Sequence, residues 1–180
     1  MTPTEYIWLT ARTASKSFHA DRVNSAALAI DINRSIADLE RLDAYKKALF
    51  YGKPMPSGYY SDEASKFVPA CAPADADFMH GVLGIATEAG ELLELLRRWR
   101  WPLSSDPALD RRTAIKEELG DLFWYIAMLC RWAQLDFETI MRSNIEKLKA
   151  RYPDGFTETR TLNRNVEAEQ LAFNFSEGGE

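Results

Sequence analysis

A chain of 180 residues is long enough for one domain with a real hydrophobic core and short for two. Its composition, 46% hydrophobic and 27% charged, excludes an intrinsically disordered chain. The net charge of −5 argues against the broad basic footprint that a nucleic-acid polymer requires.

The N-terminus, Met1-Thr2-Pro3-Thr4-Glu5, has neither a basic start nor an apolar signal core. No apolar run approaches the roughly 20 residues of a membrane span, so no membrane contact is expected. Cys71 and Cys130 have no paired spacing, which speaks against a disulfide framework or a zinc site and fits a reducing cytosol. A soluble, cytoplasmic protein is the expectation.

Helical periodicity dominates and strand signals are scarce, which predicts an all-α fold: a helical bundle of about five main helices. The first helix is expected over 4–14 and the second over 24–50, ended by Gly52 and Pro54. Residues 52–75, with four prolines and two glycines, read as a loop insertion, either a lid or a surface excursion. Tyr51, Tyr59, Tyr60 and Phe67 could line such a lid or pack on the bundle. The third helix is expected over 76–100, stopped by Pro102. Asp106-Pro107 suits the start of a fourth reaching 133, and Asp136 caps a fifth reaching 151. Residues 1–156 are thus expected as a single domain. Residues 157–180 are expected as a partly helical tail, with a short helix at 166–172 and a frayed end.

Acids on helices are usually solvated, so their direction decides. At about 100° per residue, the apolar arc of the third helix is Val82, Ile85, Ala89, Leu92, Leu93 and Leu96. Glu88 falls at the edge of that arc, with Glu91 roughly 60° away on the same side; Thr87 and Gly90 fall on the polar back. The fourth helix repeats the arrangement. Its arc is Ile115, Leu119, Leu122, Phe123, Ile126 and Cys130, with Glu118 at the edge and Asp121 one step on. Clustering unpaired carboxylates is costly and raises their proton affinity, and a divalent cation removes both problems. Oxygen ligands suit Mg²⁺, or Mn²⁺. The competing reading pairs these acids with Arg97, Arg98, Arg111 or Arg112 at the surface. A di-iron site is disfavoured, since the chain has two histidines and no Glu-x-x-His.

On the fifth helix Asn144, Lys147 and Arg151 share a face at i, i+3 and i+7, with Tyr152 at its end. This face suits phosphate, or is an ordinary solvated face. Tyr125 lies one turn beyond Asp121 on the same stripe, while His80 reads as a helix-start residue outside the site.

Three stretches carry a resemblance: Gly84-Ile85-Ala86-Thr87-Glu88-Ala89-Gly90-Glu91-Leu92, Glu117-Glu118-Leu119-Gly120-Asp121-Leu122-Phe123-Trp124-Tyr125, and Asn144-Ile145-Glu146-Lys147-Leu148-Lys149-Ala150-Arg151-Tyr152-Pro153. Together, over 80–156, they resemble the MazG-like all-α nucleoside triphosphate pyrophosphohydrolases, phage-type members in particular. That family's pattern is Glu-Glu-x-x-Glu followed by Glu-x-x-Asp, and here Thr87 replaces the first acid. Because Thr87 falls on the polar back, the site is expected to survive the change.

The resemblance implies hydrolysis of a nucleoside or deoxynucleoside triphosphate at the α-phosphorus, giving the monophosphate and pyrophosphate. Purine (guanine) deoxynucleotides are one option for the base. It further implies metal held by Glu88, Glu91, Glu118 and Asp121, with Glu88 activating water and Glu91 the other candidate. Lys147 and Arg151 would neutralise phosphates, and Asn144, Tyr125 and Tyr152 would position substrate. A homodimer or homotetramer is implied too, with Trp99, Trp101 and Trp132 suited to an interface, and the host cytoplasm if the chain is phage-encoded. The alternative is a nucleotide-binding regulatory bundle without turnover.

Overall fold

A computed structural model describes residues 1–15, 17–58, 73–103 and 110–175. Seven α-helices and one short 3-10 turn make up the described elements, with no strand among them, so the all-α expectation holds. None of these helices is long and apolar enough to cross a membrane. The chain divides into two compact units: Met1–Arg22 with Gln134–Glu180, and Val23–Ala133.

In the first unit, α1 (Pro3–Thr13) opens with a capping box. The Thr2 hydroxyl accepts from the Glu5 amide while the Glu5 carboxylate accepts from the Thr2 amide, satisfying two donors that a helix start leaves unpaired. Asp136 caps α5 (Phe137–Arg151) as its position predicts, accepting from the Glu138 and Thr139 amides. Two further helices follow, α6 (Glu158–Leu162) and α7 (Val166–Phe175). The first was not anticipated, and the second outruns the expected 166–172. The α5 helix packs against both α1 and α7.

An ion cluster ties α7 down. Glu169 is 2% exposed and takes Arg151 from α5 at 2.9 and 2.5 Å, and Arg164 at 3.2 and 2.7 Å. A twofold Arg fork of this kind matches both carboxylate oxygens.

In the second unit, α2 (Ser25–Tyr51) starts at Asn24, whose side chain accepts from the Ala26 and Ala27 amides. It ends on Gly52 in the left-handed region, φ 64°. The α3 helix (Pro73–Arg100) packs against both α2 and α4 (Arg111–Ala133). It begins at Pro73 rather than 76, because proline loses nothing in a first turn where its missing N–H has no partner anyway. The expected Asp106-Pro107 start of α4, and residues 59–72 of the insertion with Tyr59, Tyr60 and Phe67, lie outside the described residues.

One expectation about α3 is overturned. Thr87 and Gly90 are buried rather than on a solvated back. The α2 helix covers that side so closely that a Cβ on Gly90 would sit 2.8 Å from Leu39 Cβ. On the opposite flank a Cβ on Gly84 would fall 2.1 Å from the Tyr125 ring of α4. Small residues on both flanks of α3 therefore set how near its neighbours come, and the acids between them are brought to the same level.

Candidate active site

The i, i+3 spacing delivers the acids to the α3–α4 seam, but unequally. Glu88 is 6% exposed, Glu118 is half-buried, and Glu91 and Asp121 are exposed. One carboxylate oxygen each from Glu88, Glu118 and Asp121 lie within 4.8 Å of one another. Glu91, one turn further, lines a groove of about 320 Å³ together with Asp43 of α2 and Glu118. Ile36 and Leu39 of α2 and Leu95 of α3 form the apolar part of that groove.

Burial and neighbouring charge raise the proton affinity of two of these acids, Glu118 and Glu91. Burial, then the charges of Glu91, Glu88 and Asp121, push Glu118 up to about 7. Glu91 is raised as well, by burial and by Glu88 and Asp43, with Lys47 and Lys46 acting against the rise. The residues fit a small divalent cation. The donors are all hard carboxylate oxygens, and ligands on such an ion stand about 3 to 4 Å apart, which small side-chain adjustments reach from here.

The site contains a cation that sequence reasoning missed. Lys46 of α2 is 2% exposed, and its ammonium donates to Thr87 Oγ1 at 2.7 Å and to Glu88 Oε1 at 2.9 Å. Asp43 Oδ1 lies 3.1 Å away, and the Tyr125 ring lies 4.9 Å below. Burial alone would lower its proton affinity; the bonds to Glu88, Tyr125 and Asp43 outweigh that and raise it. Thr87 in turn donates to the Gly84 carbonyl at 3.0 Å, which leaves its oxygen to accept from Lys46. A signal for Lys46 existed. Ile32, Ile36, Leu39, Asp43 and Lys46 recur at helical spacing along the buried stripe of α2.

Tyr125, expected beside the acids, is 6% exposed, and its hydroxyl meets that of Tyr51 at 3.3 Å. Burial and this contact push Tyr125 up to about 12 against the pull of Lys46. His80 stacks on Phe50 with ring centres 4.0 Å apart, and its Nε2 lies 3.1 Å from the Tyr51 hydroxyl. Burial first, then Lys46, lowers the His80 pKa, with Asp77 opposing, which favours the neutral ring.

Asn144, Lys147, Arg151 and Tyr152 belong to the other unit, where each has its own neighbours. Asn144 Oδ1 accepts from the Tyr6 hydroxyl at 3.1 Å, and the Lys147 ammonium lies 5.7 Å from the Phe173 ring. Arg151 carries Glu169. Tyr152 is 4% exposed, its hydroxyl 2.9 Å from Thr161 Oγ1.

Residues 80–156, from His80 through the acids to the end of α5, match the MazG nucleotide pyrophosphohydrolase domain. The chain is also similar to Gene 37 protein of Mycobacterium phage L5. The two are 27% identical over 94 residues, which cover 50% of this chain and 82% of the phage protein. No solved structure matches. The segment that carries the acids, residues 80–156, is thus similar to the MazG nucleotide pyrophosphohydrolase domain.

Proposed function

We propose that the chain is a divalent-metal-dependent enzyme that hydrolyses a nucleoside or deoxynucleoside triphosphate at the α-phosphorus to the monophosphate and pyrophosphate. The observation that carries this is the convergence of Glu88, Glu118 and Asp121 oxygens within 4.8 Å, inside the segment matching a nucleotide pyrophosphohydrolase domain. A divalent cation would offset the repulsion among three acids so placed, and a triphosphate would bring more negative charge to the same spot.

Glu88, Glu118 and Asp121 would hold the ion, Mg²⁺ or Mn²⁺, with Glu91 beside them. When bound, it supplies charge neutralisation and polarisation of phosphate oxygens. Resemblance assigns the proton-accepting role to Glu88, with Glu91 as the second candidate. The Lys46–Glu88 bond favours Glu91: a buried carboxylate already holding an ammonium suits a fixed ligand, whereas Glu91 opens on the groove and has the raised proton affinity. Lys147 and Arg151 are the candidates for the β and γ phosphates, and Asn144, Tyr125 and Tyr152 for orientation, on the strength of resemblance. A purine deoxynucleotide remains the base preference to test first, and assembly as a homodimer or homotetramer belongs to the same proposal.

Product analysis with a panel of nucleoside and deoxynucleoside triphosphates and Mg²⁺ or Mn²⁺ tests it. Pyrophosphate is the expected product, and Glu91→Gln should lower kcat by about 10² or more, the scale of a lost general base. Direct release of orthophosphate would contradict attack at the α-phosphorus. Stabilisation by nucleotide without turnover would favour the regulatory bundle instead.

A further inference from the structure

Lys46 stands on the one face of α2 where a lysine is least expected. It continues the stripe Ile32, Ile36, Leu39 and Asp43 by which α2 packs against α3, at 2% exposure. An ammonium has three donors and no acceptor. Here three acceptors surround it: Thr87 Oγ1, Glu88 Oε1 and Asp43 Oδ1, at 2.7, 2.9 and 3.1 Å. Thr87 and Glu88 accept hydrogen bonds from the ammonium while Asp43 stands by as an ion-pair partner, and Glu88 is the same carboxylate that meets Glu118 and Asp121 from α4.

We infer that Lys46 is a built-in cation of the acid cluster: it fixes Glu88 from the α2 side and limits the cluster to a single divalent ion. This rests on the metal reading proposed above. With Oε1 bonded to the ammonium, Glu88 has one oxygen left for a metal. A second ion seated among Asp43, Glu88 and Glu91 would have to displace the ammonium, leaving a buried charge stripped of its anions. The same bond holds the Glu88 carboxylate in one orientation before any ion arrives, as outer partners of metal ligands generally do. Lys46 is a positioning residue in this scheme. It comes from α2, a helix outside the matched segment 80–156.

Calorimetric titration of the intact chain with Mn²⁺, without nucleotide, tests the inference, with bound ions counted independently by electron paramagnetic resonance. One ion per chain is expected. Lys46→Met, which keeps an unbranched chain in the slot and removes the charge, should bind two ions, or one at least ten-fold tighter. Two ions on the wild-type chain overturn the inference, and that count needs no variant to fold. One ion with unchanged affinity in a folded Lys46→Met protein also overturns it and makes Lys46 a packing residue. Failure of the wild-type chain to bind Mn²⁺ removes the metal reading itself, a distinct outcome from either of these.

Discussion

Glu118 concentrates the electrostatic tension of the cluster, and its titration gives a stability signature. Its folded pKa of about 7 stands above the ordinary 4.5, so the folded chain binds that proton more tightly than the unfolded one. Stability from this group is therefore greatest at low pH and declines as pH rises from about 4.5 through 7, the reverse of a salt-bridged acid. We expect the metal-free protein to lose a few degrees of melting temperature between pH 5 and 8. Glu118→Gln should flatten that decline, and Mg²⁺ or Mn²⁺ should reverse it. Differential scanning fluorimetry across pH checks this, and a wild-type profile that rises over the same window would contradict the assignment. Helical spacing was enough to place Glu88, Glu118 and Asp121 near one another, but not to show that Glu91 and Asp121 are exposed while Glu88 is buried. Lys46 was not legible in the sequence, although it obeys the same periodicity. A lysine near the end of a long polar helix reads as solvated until the partner that buries it is known.

At the scale of elements, local signals fared best where a side chain closes its own helix, as at Asp136 and Gly52. They failed on Thr87 and Gly90, because which flank of α3 is covered depends on α2, a helix outside the matched segment. On the tail they found the helix but not what holds it. The α7 helix is anchored to α5 through a carboxylate that no apolar pattern would reveal. Arg151 first, then Arg164, holds Glu169 down at about 2, so this acid stays ionised across the ordinary pH range. Its contribution is full above pH 4.5 and is lost only as pH falls towards 2. Glu169→Ala leaves two guanidinium groups facing a vacated pocket, one of them mostly buried. Breaking such a pair from one side costs about 3 to 5 kcal/mol. Urea denaturation should show a loss of that order, and hydrogen exchange should show α7 opening before α2 and α3. A change below 0.5 kcal/mol would mean the cluster is a crowded surface pair.

At the scale of the whole molecule, the second unit carries several large apolar side chains that are exposed. Leu96 and Trp99 on α3, and Ile115, Leu119 and Phe123 on α4, are between 39 and 59% exposed. Most of them border one groove of about 260 Å³, which Arg111 edges by placing its guanidinium 4.7 Å from the centre of the Trp99 ring. Half of the arc that periodicity assigned to the core of α4 is thus an outer face, a distinction the hydrophobic pattern alone does not make. Contiguous apolar surface of this kind marks a contact with another chain more often than a free surface. The occupant that accords with the family resemblance is a second copy, whose own α3 and α4 would offer the same face across a twofold axis. Light scattering after size exclusion should then give a mass at a multiple of 20.5 kDa. Trp99→Glu places a charge where that interface would exclude water, so it should shift the population to monomer and lower the melting temperature at micromolar protein. A wild-type monomer that stays folded at those concentrations would reject self-association and leave this face for another partner.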